Sequence, residues 1–127
     1  MTTLIICLLI AGSLTILSKI PVGLAQNQAG GYNNKHPREQ QAKLTGYGAR
    51  ALAAHKNSFE SFILFSAAVL LALVTNHVGE TIQYLAIAHV VARLAYHYLY
   101  LANIHLMRSL SWMVATGASF AIMVLCI

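Results

Sequence analysis

Charge is the first property that this sequence lacks. Only 9% of its 127 residues are charged, with three acids against eight Lys and Arg, and 58% are hydrophobic. An average globular protein carries about 25% charged residues. This composition, with a mean hydropathy of +0.67, excludes intrinsic disorder and is typical of a membrane protein rather than a water-soluble domain.

Cysteine is also scarce, which excludes a disulfide scaffold. The two cysteines, Cys7 and Cys126, lie within apolar runs at opposite ends of the chain. No CxxC or Cys/His spacing typical of a zinc site exists, so no metal site is predicted. Six histidines are present, but His36 and His105 belong to loops and His77 to a turn. They do not favour haem, which needs ligands on facing helices.

Long apolar runs predict the architecture. A membrane-spanning helix needs about 20 residues, and only helices or closed barrels satisfy the backbone in lipid. Helices are expected at about 4–24, 49–76, 81–102 and 108–127, with a polar cytoplasmic loop at 26–47. The sequence therefore predicts an all-α membrane protein, a four-transmembrane-helix protomer whose single domain is 1–127.

The first apolar run has one alternative interpretation, a cleaved signal peptide. Gly23-Leu24-Ala25 resembles a small-residue cleavage site. However, no basic residue precedes the run, Lys19 interrupts its end, and three more spans follow. These features favour a retained span.

The distribution of basic residues predicts the orientation. The first loop carries Lys35, Arg38 and Lys43, and the third carries His105 and Arg108. The second loop has no Lys or Arg, and the N-terminal tripeptide has no charged side chain. By the positive-inside rule, the first and third loops are cytoplasmic and both termini are outside. This clustering also disfavours nucleic acid as a partner and leaves membrane lipids as the surroundings of the chain.

Ionisable residues inside the predicted spans are the candidate functional residues. Arg93 lies well inside the third span and needs a polar partner. Glu60, at the start of the second apolar run, comes within reach between antiparallel neighbours. One face of the third helix carries polar groups at helical spacing, and they are His89, Arg93, Tyr96, His97 and Tyr100. This stripe predicts either interhelical hydrogen bonding or a site for a charged, hydrophilic molecule.

At these residues the chain resembles the MAPEG superfamily, membrane-associated proteins in eicosanoid and glutathione metabolism that include microsomal glutathione S-transferases. The pattern Ala-His-x-Asn-x-x-Glu, followed by Arg, Tyr and Arg, carries the resemblance. The matching segments are NKHPR at 34–38, RALAAHKNSFE at 50–60, RLAYHYLY at 93–100, and Arg108. The resemblance implies a four-helix protomer in a homotrimer, with glutathione as co-substrate between protomers near the cytoplasmic face.

The resemblance also implies roles for individual residues. Glutathione would be bound by Arg50, Asn57, Glu60, Arg93 and Tyr96, with Glu60 meeting the amino group. Tyr100 and Arg108 would be catalytic, beside the sulfur. Because the thiolate is the nucleophile, the expected reaction is conjugation of a lipophilic electrophile from the bilayer or reduction of a lipid hydroperoxide. The compact chain has no endoplasmic reticulum retention signal, which favours a bacterial-type member in the inner membrane.

Two functions remain open at this stage. Transferases of the family often carry an arginine four residues before the motif asparagine, and this chain has Ala53 there. The third loop, Asn103 to Met107, is also shorter than in the transferases. The alternative to an enzyme is therefore a non-catalytic trimeric membrane protein that binds glutathione or another small anionic ligand. A small multidrug exporter is disfavoured because Glu60 lies near the cytoplasmic entrance, not deep in the bundle.

Overall fold

The fold consists of α-helices connected by short segments. A computed structural model describes all 127 residues. The helices are α1 (Thr2–Leu17), α2 (Lys19–Gln28), α3 (Pro37–Ala42), α4 (Gly46–Val74), α5 (Glu80–Leu101) and α6 (His105–Val124). Together, α1 and α2 form one long rod, and α4, α5 and α6 form three more that pack against one another.

Three rods are long and apolar enough to cross a membrane, namely Thr2–Gln28, Gly46–Val74 and His105–Val124. Large apolar side chains such as Ile16, Ile63 and Val74 are exposed on the outside of the bundle, as expected where lipid is the solvent. The fourth predicted span, α5, has 22 residues but falls below these three rods in hydropathy, because its polar stripe replaces apolar side chains. Its crossing of the membrane is therefore a proposal that depends on its packing.

The first rod is interrupted at Ser18. Pro21 lacks an N–H, and its ring clashes with the carbonyl four residues earlier, at Leu17. Accordingly, α1 ends at Leu17 and α2 begins at Lys19. The Ser18 hydroxyl lies 2.8 Å from Nδ1 of His55 and 3.2 Å from Oγ of Ser58. The break thus places a polar group of the first rod against α4.

The turns after α4 and α5 share one geometry. Asn76 and Asn103 adopt the left-handed conformation, with φ of 57° and 61°, which asparagine tolerates better than most residues. The amide of the following residue donates to a carbonyl five residues back, His77 to Ala72 and Ile104 to Leu99. Both helices therefore end with a Schellman-type cap. The tight turns reverse the chain, so consecutive helices among α4, α5 and α6 pack as antiparallel neighbours.

The polar segment 26–47 is more ordered than the predicted loop. Helix α2 continues to Gln28, and α3 begins at Pro37, where proline is favoured because its missing N–H is not needed in the first turn. The fully buried Gln26 donates to the Pro37 carbonyl and to Oε1 of Gln40, each at 3.1 Å. Gln40 donates back to the Gln26 carbonyl. Paired amides therefore fold the segment against α2.

A second boundary also differs from the sequence prediction. Helix α6 begins at His105, three residues before the predicted start at 108. The left-handed Asn103 reverses the chain so tightly that His105 is already helical. His105 and Arg108 thus lie in the first turn of α6 and not in a loop.

The hydrophobic core lies in the half of the bundle remote from the polar segment. It joins residues of α1, α4, α5 and α6, among them Leu4, Phe65, Ala86 and Ile122, each with no exposed surface. Many of its members are alanines, which allow the helices to approach closely. Phe65 stacks on the His89 ring, with centroids 3.8 Å apart and planes 4° apart.

We expect Phe65→Ala to destabilise the protein by about 3–5 kcal/mol, because it leaves a cavity beside the His89 ring. The free energy of unfolding would be measured by SDS titration in mixed micelles. The control is Ile63→Ala on the same helix, at a position that is 69% exposed, where a loss of about 0.5 kcal/mol or less is expected. Equal losses for the two variants would contradict this description of the core.

Candidate functional site

The centre of the candidate site is a chain of polar side chains between α4 and α5. Arg93 on α5 is only 3% exposed. Its Nη1 donates to Oδ1 of Asn57 at 2.9 Å, and Nδ2 of Asn57 donates to Oε2 of Glu60 at 2.7 Å. The guanidinium and the carboxylate form no direct ion pair. Asn57 thus links Arg93 to Glu60, two residues whose positions in the sequence place them within reach of each other.

Two arginine–tyrosine pairs extend this chain towards α6. The Arg93 guanidinium carbon lies 4.1 Å from the centre of the Tyr96 ring, and that of Arg108 lies 4.5 Å from the Tyr100 ring. The two tyrosine rings meet edge to face with centroids 5.5 Å apart. Cation–π contact holds a guanidinium without neutralising it. Both arginines therefore keep their positive charge, Arg108 at the cavity and Arg93 buried beside Tyr96.

These side chains border an open cavity of about 190 Å³. Asn57 of α4, Tyr96 and Tyr100 of α5, and Arg108 of α6 contribute to its wall. Tyr96 is buried, whereas Glu60 is exposed beside Asn57. The cavity combines an amide, two phenols and a guanidinium, with a carboxylate at its edge. This set can bind a molecule that carries both carboxylates and an ammonium group.

Comparison with known proteins places the chain in a family. The model of the MAPEG family matches residues 3–127. The chain belongs to the MAPEG family. No curated protein and no solved structure matched it. The family match covers essentially the whole chain, so the MAPEG assignment and the apolar helices together make it a membrane protein.

Six of the seven site residues predicted from the MAPEG resemblance come together in the structure, and Arg50 stands apart. The six are Asn57, Glu60, Arg93, Tyr96, Tyr100 and Arg108. The Nη2 of Arg50 lies 3.5 Å from the Leu101 carbonyl. A guanidinium at this position interacts favourably with the negative end of the α5 helix dipole. Arg50 therefore makes a structural contact that lies outside the cavity.

The structure adds two residues to the wall of the cavity in this MAPEG protein, Ser109 and Trp112. Trp112 is of a residue type that is also enriched at membrane–water interfaces. It lies one helical turn after Arg108, so their shared face is predictable once the start of α6 is known. No three His, Cys, Asp or Glu side chains are grouped in a way that could hold a metal ion.

Proposed function

We propose that this MAPEG protein is a membrane-embedded, glutathione-dependent transferase or peroxidase. The observation that carries the proposal is the continuous chain from Glu60 through Asn57 to Arg93, beside the cavity lined by Tyr100 and Arg108. Family membership supports a glutathione-related function. The substrates would be glutathione and a lipophilic electrophile or hydroperoxide dissolved in the bilayer.

The charges of the site complement those of glutathione. The tripeptide carries two carboxylates and one ammonium. Arg108, in the wall of the cavity, supplies a guanidinium group that can bind a carboxylate bidentately. Arg93 adds buried positive charge behind Asn57 and Tyr96, and the exposed carboxylate of Glu60 suits the ammonium. Glu60 alone cannot neutralise both arginines and Arg50, so an excess of positive charge remains near the site. An anionic ligand would supply the missing negative charge.

The expected reaction depends on the glutathione sulfur. A free thiol has a pKa of about 8.5 and is mostly protonated at neutral pH. Arg108, held over the Tyr100 ring, would stabilise the thiolate if the sulfur lies beside it. The thiolate then forms a carbon–sulfur bond to the electrophile as the leaving group departs with its electron pair. With a hydroperoxide, two glutathione molecules become one disulfide, and the products are an alcohol and water.

The size of the cavity supports a site shared between protomers, and MAPEG membership supports a homotrimer. Ligand pockets usually enclose about 300–1,000 Å³, and the cavity of one protomer, at about 190 Å³, is smaller and open on its outer side. A neighbouring protomer would complete it. In this assembly α5 would be the fourth membrane-spanning helix, its polar stripe shielded from lipid by α4 and α6. The buried positions of His89, Arg93 and Tyr96 support that arrangement.

A specific observation favours the second candidate function, a non-catalytic trimeric protein that binds glutathione or another small anion. Ala53 stands where transferases of the family often carry arginine, and Arg50, one turn earlier, contacts the Leu101 carbonyl and not the cavity. The chain thus lacks one cationic contact. The two candidates differ in whether the bound thiol becomes a thiolate.

The test uses the one tryptophan of the chain. Trp112 lines the cavity, so its fluorescence is expected to change when glutathione binds to the detergent-purified protein. Glu60→Gln should raise the dissociation constant about tenfold, because a charge-assisted hydrogen bond to the ammonium is lost. Glu80→Gln, at the opposite end of α5, is the matched control. No binding at millimolar glutathione would refute the proposed function.

A further inference from the structure

The side of Arg93 that faces away from the candidate site is lined by polar atoms without partners. His89 and Arg93 are 1% and 3% exposed. Three buried nitrogens there make no hydrogen bond within the protein, namely Nε2 of His89, Nη2 of Arg93 and Nε2 of His97. A buried polar atom without a partner costs about 1–3 kcal/mol, so a cluster of three such atoms on neighbouring turns of one helix calls for a ligand.

The hydrogen bonds of Nδ1 of His89 determine whether Nε2 of the same ring is a donor or an acceptor. Its Nδ1 lies 2.9 Å from the Ala115 carbonyl and 3.1 Å from Oγ of Ser119. Because a carbonyl only accepts, Nδ1 carries the proton, and Nε2 of the neutral ring is then an acceptor. Nη2 of Arg93 is a donor. The cluster therefore contains at least one donor and one acceptor, which a molecule able to do both would satisfy.

A small cavity lies among these atoms. Its volume is about 10 Å³, and its wall includes His89, Arg93, His97, Ser58 and Ser61. This is about the space that a single water molecule requires, and buried waters make about three hydrogen bonds each. An organic ligand or a polyatomic anion is too large for it, and the guanidinium of Arg93 in its wall disfavours a metal cation. The remaining wall comes from apolar side chains of α1 and from Phe62, which close the cavity on that side.

We propose that this cavity binds one structural water, and that His89 and His97 act through it as positioning residues for Arg93. The water accepts a hydrogen bond from Nη2 of Arg93 and donates to Nε2 of His89 and of His97. The other terminal nitrogen of Arg93, Nη1, donates to Oδ1 of Asn57. The guanidinium is thereby held from both sides, with its plane fixed for the candidate site.

The water itself is tested without glutathione. A crystal structure of the wild-type protein at a resolution that shows ordered internal waters is expected to contain density within hydrogen-bond distance of all three nitrogens. Density at that point supports the proposal. An empty cavity in a map that shows other internal waters overturns it.

The positioning role rests on the proposed function and is tested by two variants of one residue. His97→Phe removes the polar atom from the cavity, whereas His97→Gln keeps one near the position of Nε2. We expect His97→Phe to raise the glutathione dissociation constant about tenfold, because the water is lost and with it the hydrogen bond that the charged Arg93 donates to it. His97→Gln should restore it to within about threefold of wild type, within the scatter of such effects. Tyr98→Phe, at a neighbouring exposed position of α5, is the control.

Each outcome decides the role of His97. An unchanged dissociation constant for His97→Phe overturns it, and equal losses for the Phe and Gln variants show packing alone and overturn it too. If the wild-type protein does not bind glutathione, the proposed function fails, but the positioning role of His97 can still be tested by crystallography. The crystal structure of His97→Phe should then lack the 2.9 Å contact between Arg93 and Asn57, and its retention would overturn the positioning role.

Discussion

Arg93→Leu is expected to raise the glutathione dissociation constant about 100-fold or more, the largest effect on binding of any single change in this protein. Truncating one member of a buried, hydrogen-bonded charged set costs about 2–5 kcal/mol, and each 1.4 kcal/mol corresponds to about a factor of ten. The substitution removes positive charge beside the cavity and leaves Oδ1 of Asn57, a residue of the cavity wall, without the hydrogen bond that Arg93 donates to it. Quenching of Trp112 fluorescence would measure the change.

Two variants distinguish a specific role of Arg93 in glutathione binding from a general effect of positive charge. Arg93→Lys keeps the positive charge but not the planar fork, so its dissociation constant should lie between those of wild type and Arg93→Leu. Arg38→Leu removes one positive charge from α3, where the side chain is exposed, and should leave binding unchanged. If Arg38→Leu weakened binding as much as Arg93→Leu, the arginines would act only through net charge, and the proposed site would be wrong.

Arg108→Ala is expected to lower kcat for conjugation about 100-fold while changing the glutathione dissociation constant only a few-fold. Loss of one donor to a developing or stabilised anion typically lowers kcat by about 10²–10³. Arg108 lies 4.5 Å from the Tyr100 ring at the edge of the cavity, where it would face the sulfur. The ultraviolet absorbance of the thiolate, which should increase when glutathione binds to wild type, should be absent in this variant.

The pH dependence of the Arg108→Ala rate is a second measurement. Without the guanidinium, the bound thiol should ionise near its free pKa of about 8.5, so the rate should rise as the pH passes that value. Lys43→Ala, in the segment after α3, is the control for a removed positive charge. If Arg108→Ala changed neither the thiolate absorbance nor the rate, Arg108 would not be catalytic. If the wild-type protein bound glutathione but showed neither thiolate absorbance nor conjugation, the non-catalytic candidate would replace the enzyme.

The spacing of polar residues in the sequence indicated candidate site residues, but it did not show which of them are hydrogen-bonded to each other. Helical spacing placed Arg93 and Tyr96 on one face of α5, and the cost of a charge in lipid required that face to meet other helices; their burial confirms this. Sequence could not show that Asn57 joins Arg93 to Glu60, because the link depends on the rotation and depth of two helices. For the same reason it could not separate Arg50, on the same face of α4 as Asn57, from the others.

In the polar segment 26–47, the sequence failed to predict the local structure. Its composition resembled a loop, since Asn, Gln and Gly favour turns and the sequence has no apolar periodicity there. Buried pairing of Gln26 with Gln40 orders it, and such amide pairs leave no signature in a single sequence. The start of α6 at His105 was missed because the turn geometry of Asn103 shortened the connection.

The sequence by itself determined that this is a helical membrane protein of the MAPEG type, and it singled out the ionisable residues. It could do so because lipid permits few backbone structures and makes every buried charge expensive, so both leave a mark in composition and spacing. Only the tertiary structure decided which charges meet, that Arg50 caps a helix end, and that three unpartnered nitrogens surround a space for one water. Those features depend on ångström-scale packing between helices, and hydropathy and periodicity do not encode distances.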